Sequence, residues 1–492
     1  MNAWLQTWGC LGLLASMLLP GLLQADDQAS SRLLPVRVEN GQCEIVLSTP
    51  HANDQFYLIL ASLSRRPGPQ SVLVRAEATS RPVHIPVAAP VADEAWQERI
   101  RELGERLAKA RRSQGSIEAY AAHNEPPRHR IFYLLRGERD FENPESYVAI
   151  PADLQAVGRS CQVYVECACP QARQLQPTIA DAVRTFDSEI LPLARRQLGQ
   201  VTDVDRDGRF TMLFTSRLAE LCRGNDALRG CVRGSDWCRD VPAPFSNHCD
   251  MMYLSTDLRP GPYLHSILAH EYTHAILFSE HVFHNYLPGT PRQDEEAWLN
   301  EGLAHLAEDL HSYGWHNLDY RIAAFLNAPE RFSLVVPDYY AAGSWRSPGH
   351  RGAAYLFVRW CADRYGEDFP RRLIQSNLAG VANLEVATGE RFAELFRQWC
   401  VAVLLSGTDL RSPSPLLHLN LRHPLGSQNL NGPHVSELSL DGAQAQIQLA
   451  GTSAAYLRAH SPGGERSRIS ISAEPQAELQ VTLICIPERR EP

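Results

Sequence analysis

One helix limits what this chain can become. Residues 262–280 carry Leu264, Ile267, Leu268, Ala275, Ile276 and Leu277 around the hexapeptide Ala269-His270-Glu271-Tyr272-Thr273-His274. The spacing predicts a buried helix. A water-excluded setting strengthens the electrostatics of any ionisable group it carries. With 492 residues, of which 44% are hydrophobic, the chain is long enough to enclose such a helix in two to four domains.

His270 and His274 stand four residues apart, one above the other on one helical face. Both imidazoles can point at a single ion, with Zn–N distances of ~2.0–2.1 Å. Glu271 emerges beside the pair, where it reaches a water without binding the metal. A pair of packed core histidines is the plainer reading of this pattern alone. The next segment strengthens the metal reading. Trp298-Leu299-Asn300-Glu301-Gly302-Leu303-Ala304 starts another helix, and the linker with Pro288, Gly289 and Pro291 can turn the chain back. Glu301 then supplies a third protein ligand and leaves a fourth position open for water. His265 lies off the ligand face. His281 and His284 follow in a loop and offer only a weak case for a second metal.

These motifs resemble the gluzincin metallopeptidases, which pair HExxH with a downstream glutamate. More narrowly, they resemble the hyicolysin-like secreted bacterial peptidases. The narrower resemblance rests on Asp203-Val204-Asp205-Arg206-Asp207-Gly208, on MMYLS before the HExxH helix, and on AAYLFVRWCADRYG after it. It covers about residues 130–400. The resemblance implies a thermolysin-like zincin domain in which His270, His274 and Glu301 hold Zn²⁺. It implies that Glu271 takes a proton from the attacking water and passes it to the leaving amine. It also implies a Tyr or His that hydrogen-bonds the oxyanion, with Tyr339, Tyr340, His350 and Tyr355 as candidates. Clan members place an acid four residues after the glutamate ligand to steady a histidine. Here that position is His305, and Glu308, one turn further, falls on the face of Glu301.

The Asp203, Asp205 and Asp207 run resembles the opening of an EF-hand loop, with Gly208 at its sixth position. Phe214 stands where the bidentate Glu of that loop belongs. A shorter Ca²⁺ turn leading into a strand is the expectation, and an acidic turn without metal is the alternative.

Around this core, the fold class reads as α+β, with β-rich regions at both ends. Residues 1–25 read as a signal peptide: an apolar run ends in Leu23-Gln24-Ala25 before Asp26-Asp27. Residues 26–170 are strand-rich with a charged helical insertion, and read as an accessory region or a removable pro-segment. Residues 171–408 form the peptidase domain and residues 409–492 a C-terminal β-sandwich, with RSPSPL at the boundary. Export makes disulfides the default for the eleven cysteines left after Cys10 departs. Zinc at Cys222, Cys231, Cys238 and Cys249 is a poor fit, because no CxxC pair is present. No second apolar run is long enough for a membrane helix. A net charge of −9 without basic runs argues against nucleic acid or anionic lipid as partner.

The expected activity is therefore an exported zinc metalloendopeptidase, secreted, periplasmic or on the cell surface. MMYLS reads as the edge strand to which an extended polypeptide substrate adds. The runner-up is a secreted binding or surface protein with a structural peptidase-like domain, and the intact ligand set speaks against it. An aminopeptidase is the lesser rival, since no GxMEN-type strand precedes the helix.

Overall fold

The computed structural model describes residues 32–48, 55–66, 68–89, 94–113, 125–136, 140–218, 228–281, 294–408, 417–440, 442–460 and 466–486. The signal segment, Cys222, His284, RSPSPL and the 288–291 turn lie outside these residues.

Four strands come first: β1 (Arg32–Val36), β2 (Gln42–Ser48), β3 (Gln55–Ser62) and β4 (Gln70–Ala78). Helix α1 (Glu94–Ser113) follows, then β5 (His129–Leu135), β6 (Tyr147–Val157) and β7 (Cys161–Glu166). After α2 (Gln176–Thr185) and α3 (Leu191–Gln197) come β8 (Phe210–Thr215), β9 (Gly230–Cys231) and β10 (Met251–Ser255). The helical part runs through α4 (Pro262–His281), α5 (Ala297–Leu310), α6 (Asp319–Asn327), α7 (Pro348–Tyr365), α8 (Phe369–Ile374), α9 (Gly380–Thr388) and α10 (Phe392–Leu405). The short β11 (Pro424–Leu425) and β12 (Gln428–Asn429) lead to β13 (Val435–Ser439), β14 (Gln444–Leu449), β15 (Ala454–His460), β16 (Arg466–Ala473) and β17 (Leu479–Ile486).

A six-stranded sheet in the order β5-β6-β7-β8-β10-β9 underlies the site. Strands β7, β8 and β10 run parallel, and every residue of the three is buried. Such strands read as unbroken apolar runs because both faces are covered. One face carries Val163, Phe210, Met212 and Leu254 into the large core shared with α2 and α4. The other carries Tyr164, Leu213, Met251 and Tyr253 into a smaller cluster. β5 to β7, which the sequence reading places in the N-terminal region, belong to this sheet. MMYLS is β10 and is not the edge strand: Gly230–Cys231 pairs outside it, with Tyr253 opposite Cys231.

Beyond the small β11-β12 pair, two further sheets draw on both ends of the chain. One has the order β1-β17-β3-β15-β13, the other β14-β4-β16-β2. Their facing sides enclose Leu58, Leu60, Val72, Val74, Ile469 and Leu483. The result is one sandwich built from N-terminal and C-terminal strands together, where the sequence reading has two separate β regions. Its outer face docks on the helices through Ile59, Tyr456 and Ile484. The Tyr456 hydroxyl donates to the Cys400 carbonyl at 3.3 Å.

The expected disulfides are absent among the described residues. Cys161, Cys361 and Cys400 sit within the apolar core, where a thiol packs as a small hydrophobe. Among the described residues, no helix is long and apolar enough to cross a membrane.

Candidate functional site

α4 is buried on nearly all sides, as its sequence requires, and it places His270 and His274 one turn apart. Their Nε2 atoms lie 3.1 Å from each other. α5 packs alongside and brings Glu301 in, with Oε2 3.6 Å from His270 Nε2 and Oε1 4.0 Å from His274 Nε2. The approach of α5 to α7 depends on Gly302, where a Cβ would stand 2.8 Å from Val358 Cγ2 and 3.0 Å from the Ala354 carbonyl. His270 and Glu301 are at most 7% exposed, and the His274 side chain is 12% exposed.

The remaining atoms of each histidine are held. His270 Nδ1 bonds Glu308 Oε1 at 2.8 Å, and His274 Nδ1 bonds Asn300 Oδ1 at 2.6 Å. Both rings therefore present Nε2 to the same space, and the Nδ1 partners set their orientation. Glu308 is shared: His305 Nδ1 also reaches Oε1, at 2.7 Å, and Asn317 Nδ2 donates to both of its oxygens. The acid that steadies His270 thus comes one turn later than the clan pattern has it. His305, at the earlier position, fills in behind it. Arg351 of α7 closes a ring, with Nε donating to His305 Nε2 at 2.9 Å and Nη2 lying 2.7 Å from Glu301 Oε2. That last contact is an ion pair outside hydrogen-bonding geometry, so Glu301 Oε2 has no hydrogen-bond donor.

The electrostatics follow from burial and these partners. Burial pushes His274 down to about 4, and the neighbouring His270 adds to this, so His274 stays neutral. Burial alone would lower His270, but Glu301 and Glu308 outweigh it and raise the ring to about 9. Burial lifts Glu271 to about 7, against the pull of His270. Glu301 resists the upward push of burial because Arg351 and His270 hold it well below the usual carboxylate range.

The donor set fits a dication. Tetrahedral arms of ~2.0–2.1 Å place neighbouring ligand atoms about 3.3 Å apart, close to the spacings found here. The orphaned Glu301 oxygen and the Nε2 atoms of the two histidines face one point, with Arg351 Nη2 3.3 Å from His270 Nε2. Beside that point, Gly230 of edge strand β9 brings main chain against the Glu271 side chain: a Cβ at Gly230 would stand 2.8 Å from Glu271 Cγ.

Of the four oxyanion candidates, two point elsewhere. Tyr355 donates to Asp309 at 2.9 Å, and His350 bonds Ser347 at 2.8 Å with its ring edge-on to Phe332. Tyr339 is buried and its hydroxyl has no hydrogen-bond partner. Burial raises its pKa, and Glu301 adds to the shift, which places its hydroxyl within the field of the site. Tyr340 packs edge-on against it and feels Glu301, Arg351 and Glu271.

The acidic turn rearranges the expected set. Asp203 and Asp205 gather with Asp250, which precedes β10, and not with Asp207. Asp207 turns instead to Gln162 Nε2 at 2.5 Å and the Arg209 amide at 2.8 Å. Asp203 caps the Asp207 and Gly208 amides, and Asp205 pairs with Arg130 at 3.0 Å. Among the other histidines, His265 is engaged by Asp181 at 2.7 Å and His281 by the Ile374 carbonyl at 3.2 Å.

Sequence reasoning missed Asn300, Arg351 and Asp250. Asn300 was legible in principle, as the residue before the glutamate ligand. Arg351 and Asp250 carry no local signal.

No family profile matches the chain. Over 190 residues it is 27% identical to neutral metalloprotease ShpI of Staphylococcus hyicus. The match covers 36% of this chain and 40% of that protein, so less than half of the relative's length is represented.

Proposed function

We propose that the protein is a zinc-dependent metalloendopeptidase, exported through its N-terminal segment, with a thermolysin-like zincin domain. The observation that carries this reading is the convergence of His270 Nε2, His274 Nε2 and Glu301 on one point, each histidine fixed from behind by Glu308 or Asn300. The metalloprotease relative supports the same class.

His270, His274 and Glu301 would hold the ion. When bound, it polarises the scissile carbonyl and lowers the pKa of water from 15.7 towards ~7. The chain's own groups do the rest. An extended peptide adds to β9 through backbone hydrogen bonds, which lays its scissile bond across Glu271. Glu271, lifted towards neutrality by burial, accepts the proton of the attacking water and returns it to the leaving amine. Tyr339 and Tyr340 supply hydroxyl donors to the developing oxyanion. The neutral His274 and the anionic Glu301 are already in their ligating protonation states, so no proton need leave those two positions.

A calcium ion at Asp203, Asp205 and Asp250 is a second part of this reading. It would tie the start of β8 to the start of β10.

The test is metal analysis joined to peptide digestion. Purified protein should carry about one equivalent of zinc and cleave casein in a chelator-sensitive manner. Glu271→Gln should keep the zinc and lose about 10²–10⁴-fold in kcat. Undiminished cleavage by that variant would refute Glu271 as the base.

A further inference from the structure

A cavity of about 320 Å³ opens directly beside Glu271 and His270. Its wall is strongly cationic: Arg229, Arg321, Arg346 and Arg351 all line it, against Glu271 as the one carboxylate among the described lining residues. Two of these cations have a carboxylate at ion-pair distance among the described residues. Arg229 pairs with Asp257 at 3.2 Å, and Arg351 lies 2.7 Å from Glu301. Arg346 stacks on Trp345, with Cζ 4.4 Å from the ring centroid.

Arg321 is different. It is 8% exposed, and its described hydrogen bonds go only to the carbonyl and side chain of Asn317. Its Nε is buried with no partner, and it forms no ion pair among the described residues. Its Cζ lies 4.5 Å from the Tyr320 ring centroid, which leaves the guanidinium flanked by an aromatic face and the cavity. Burial, reinforced by Arg351, pushes its pKa down to about 10, so it remains charged at neutral pH. Glu308 and Glu301 act on it only from beyond ion-pair distance; a buried guanidinium without a carboxylate in contact is costly, and an incoming anion would relieve that cost.

We propose that this cavity recognises an acidic side chain of the substrate polypeptide, Asp or Glu, at one of the two residues flanking the cleaved bond, with Arg321 as its main partner. The placement follows from the wall that the cavity shares with Glu271 and His270, the residues that meet the cleaved bond. Arg346 adds long-range attraction, and a planar guanidinium matches a carboxylate in two parallel hydrogen bonds. The inference rests on the peptidase reading and narrows it to acidic sites.

The experiment uses the full zinc-loaded chain and quenched peptides with amidated C-termini, in which Glu or its neutral isostere Gln is walked through each position. At one flanking position kcat/KM for Glu should exceed that for Gln by about tenfold or more. Arg321→Gln should collapse that ratio towards one. Independently of how that variant folds, the Glu-containing product should inhibit the wild-type protein more strongly than its Gln counterpart. Chelator-sensitive cleavage with a ratio near one at every position overturns the inference and leaves the peptidase reading standing. A preference confined to peptides with a free C-terminal carboxylate also overturns it. Absence of any chelator-sensitive cleavage overturns both.

Discussion

Single residues near the site are set by what surrounds them more than by their type. His350, in the first turn of α7, is half-buried against Phe332, and burial pushes it down to about 4. Its folded pKa therefore lies below the ordinary value of 6.5, so the native state favours the neutral ring. Stability is full above pH 6.5 and is lost as pH falls towards 4, by about 2 kcal/mol at pH 5. His350→Gln should flatten that decline, and melting curves at pH 7 and pH 5 check it; an unchanged difference between the two would refute the assignment. The same residue illustrates the limit of reading chemistry from type. As a histidine downstream of the motif it qualifies for oxyanion duty, yet its ring is turned to Ser347. Tyr339, of equal standing in the sequence, keeps a buried hydroxyl without a partner. Glu308 was legible because helical periodicity puts it on the face of Glu301. The role of His305 between Glu308 and Arg351 was not, because Arg351 comes from another helix.

Elements carry their own lesson. α4 and α5 follow from apolar spacing, since a helix repeats every 3.6 residues and shows its period within a short window. The edge strand does not. β9 has two residues, too few for any alternation to register, and MMYLS next to it has the stronger strand character. Yet β9 is the element that meets Glu271, and Gly230 makes the approach possible. Gly230→Ala should push the edge away from Glu271 and lower kcat/KM by about tenfold to a hundredfold, with zinc content unchanged. Steady-state kinetics together with metal analysis would show this; undisturbed kcat/KM would mean that the strand tolerates the added methyl and that the contact is incidental.

At the scale of the whole molecule, the two ends of the chain are one unit. β3 lies between β17 and β15, and β4 between β14 and β16, so every N-terminal central strand is flanked by C-terminal ones. Removal of residues 26–124 would strip both sheets of inner strands and expose Leu438, Leu457, Ile469 and Leu483. A chain beginning at residue 125 should therefore aggregate or lose its cooperative melting transition, as followed by circular dichroism and light scattering. A stable, cooperative product would instead favour the removable pro-segment. What the sequence determined by itself is local: the histidine pair, the helices that carry it and the following glutamate, and the apolar strands of the central sheet. These rest on periodicities of two and 3.6 residues within one stretch of chain. Only the tertiary structure decided which strand forms the rim of the cleft and that Asp250 joins Asp203 and Asp205. It alone decided that Arg321 stands in the wall without an ion pair among the described residues and that the termini share a sandwich. Each of these depends on segments far apart in the chain meeting in space, and spacing along the chain does not record such meetings.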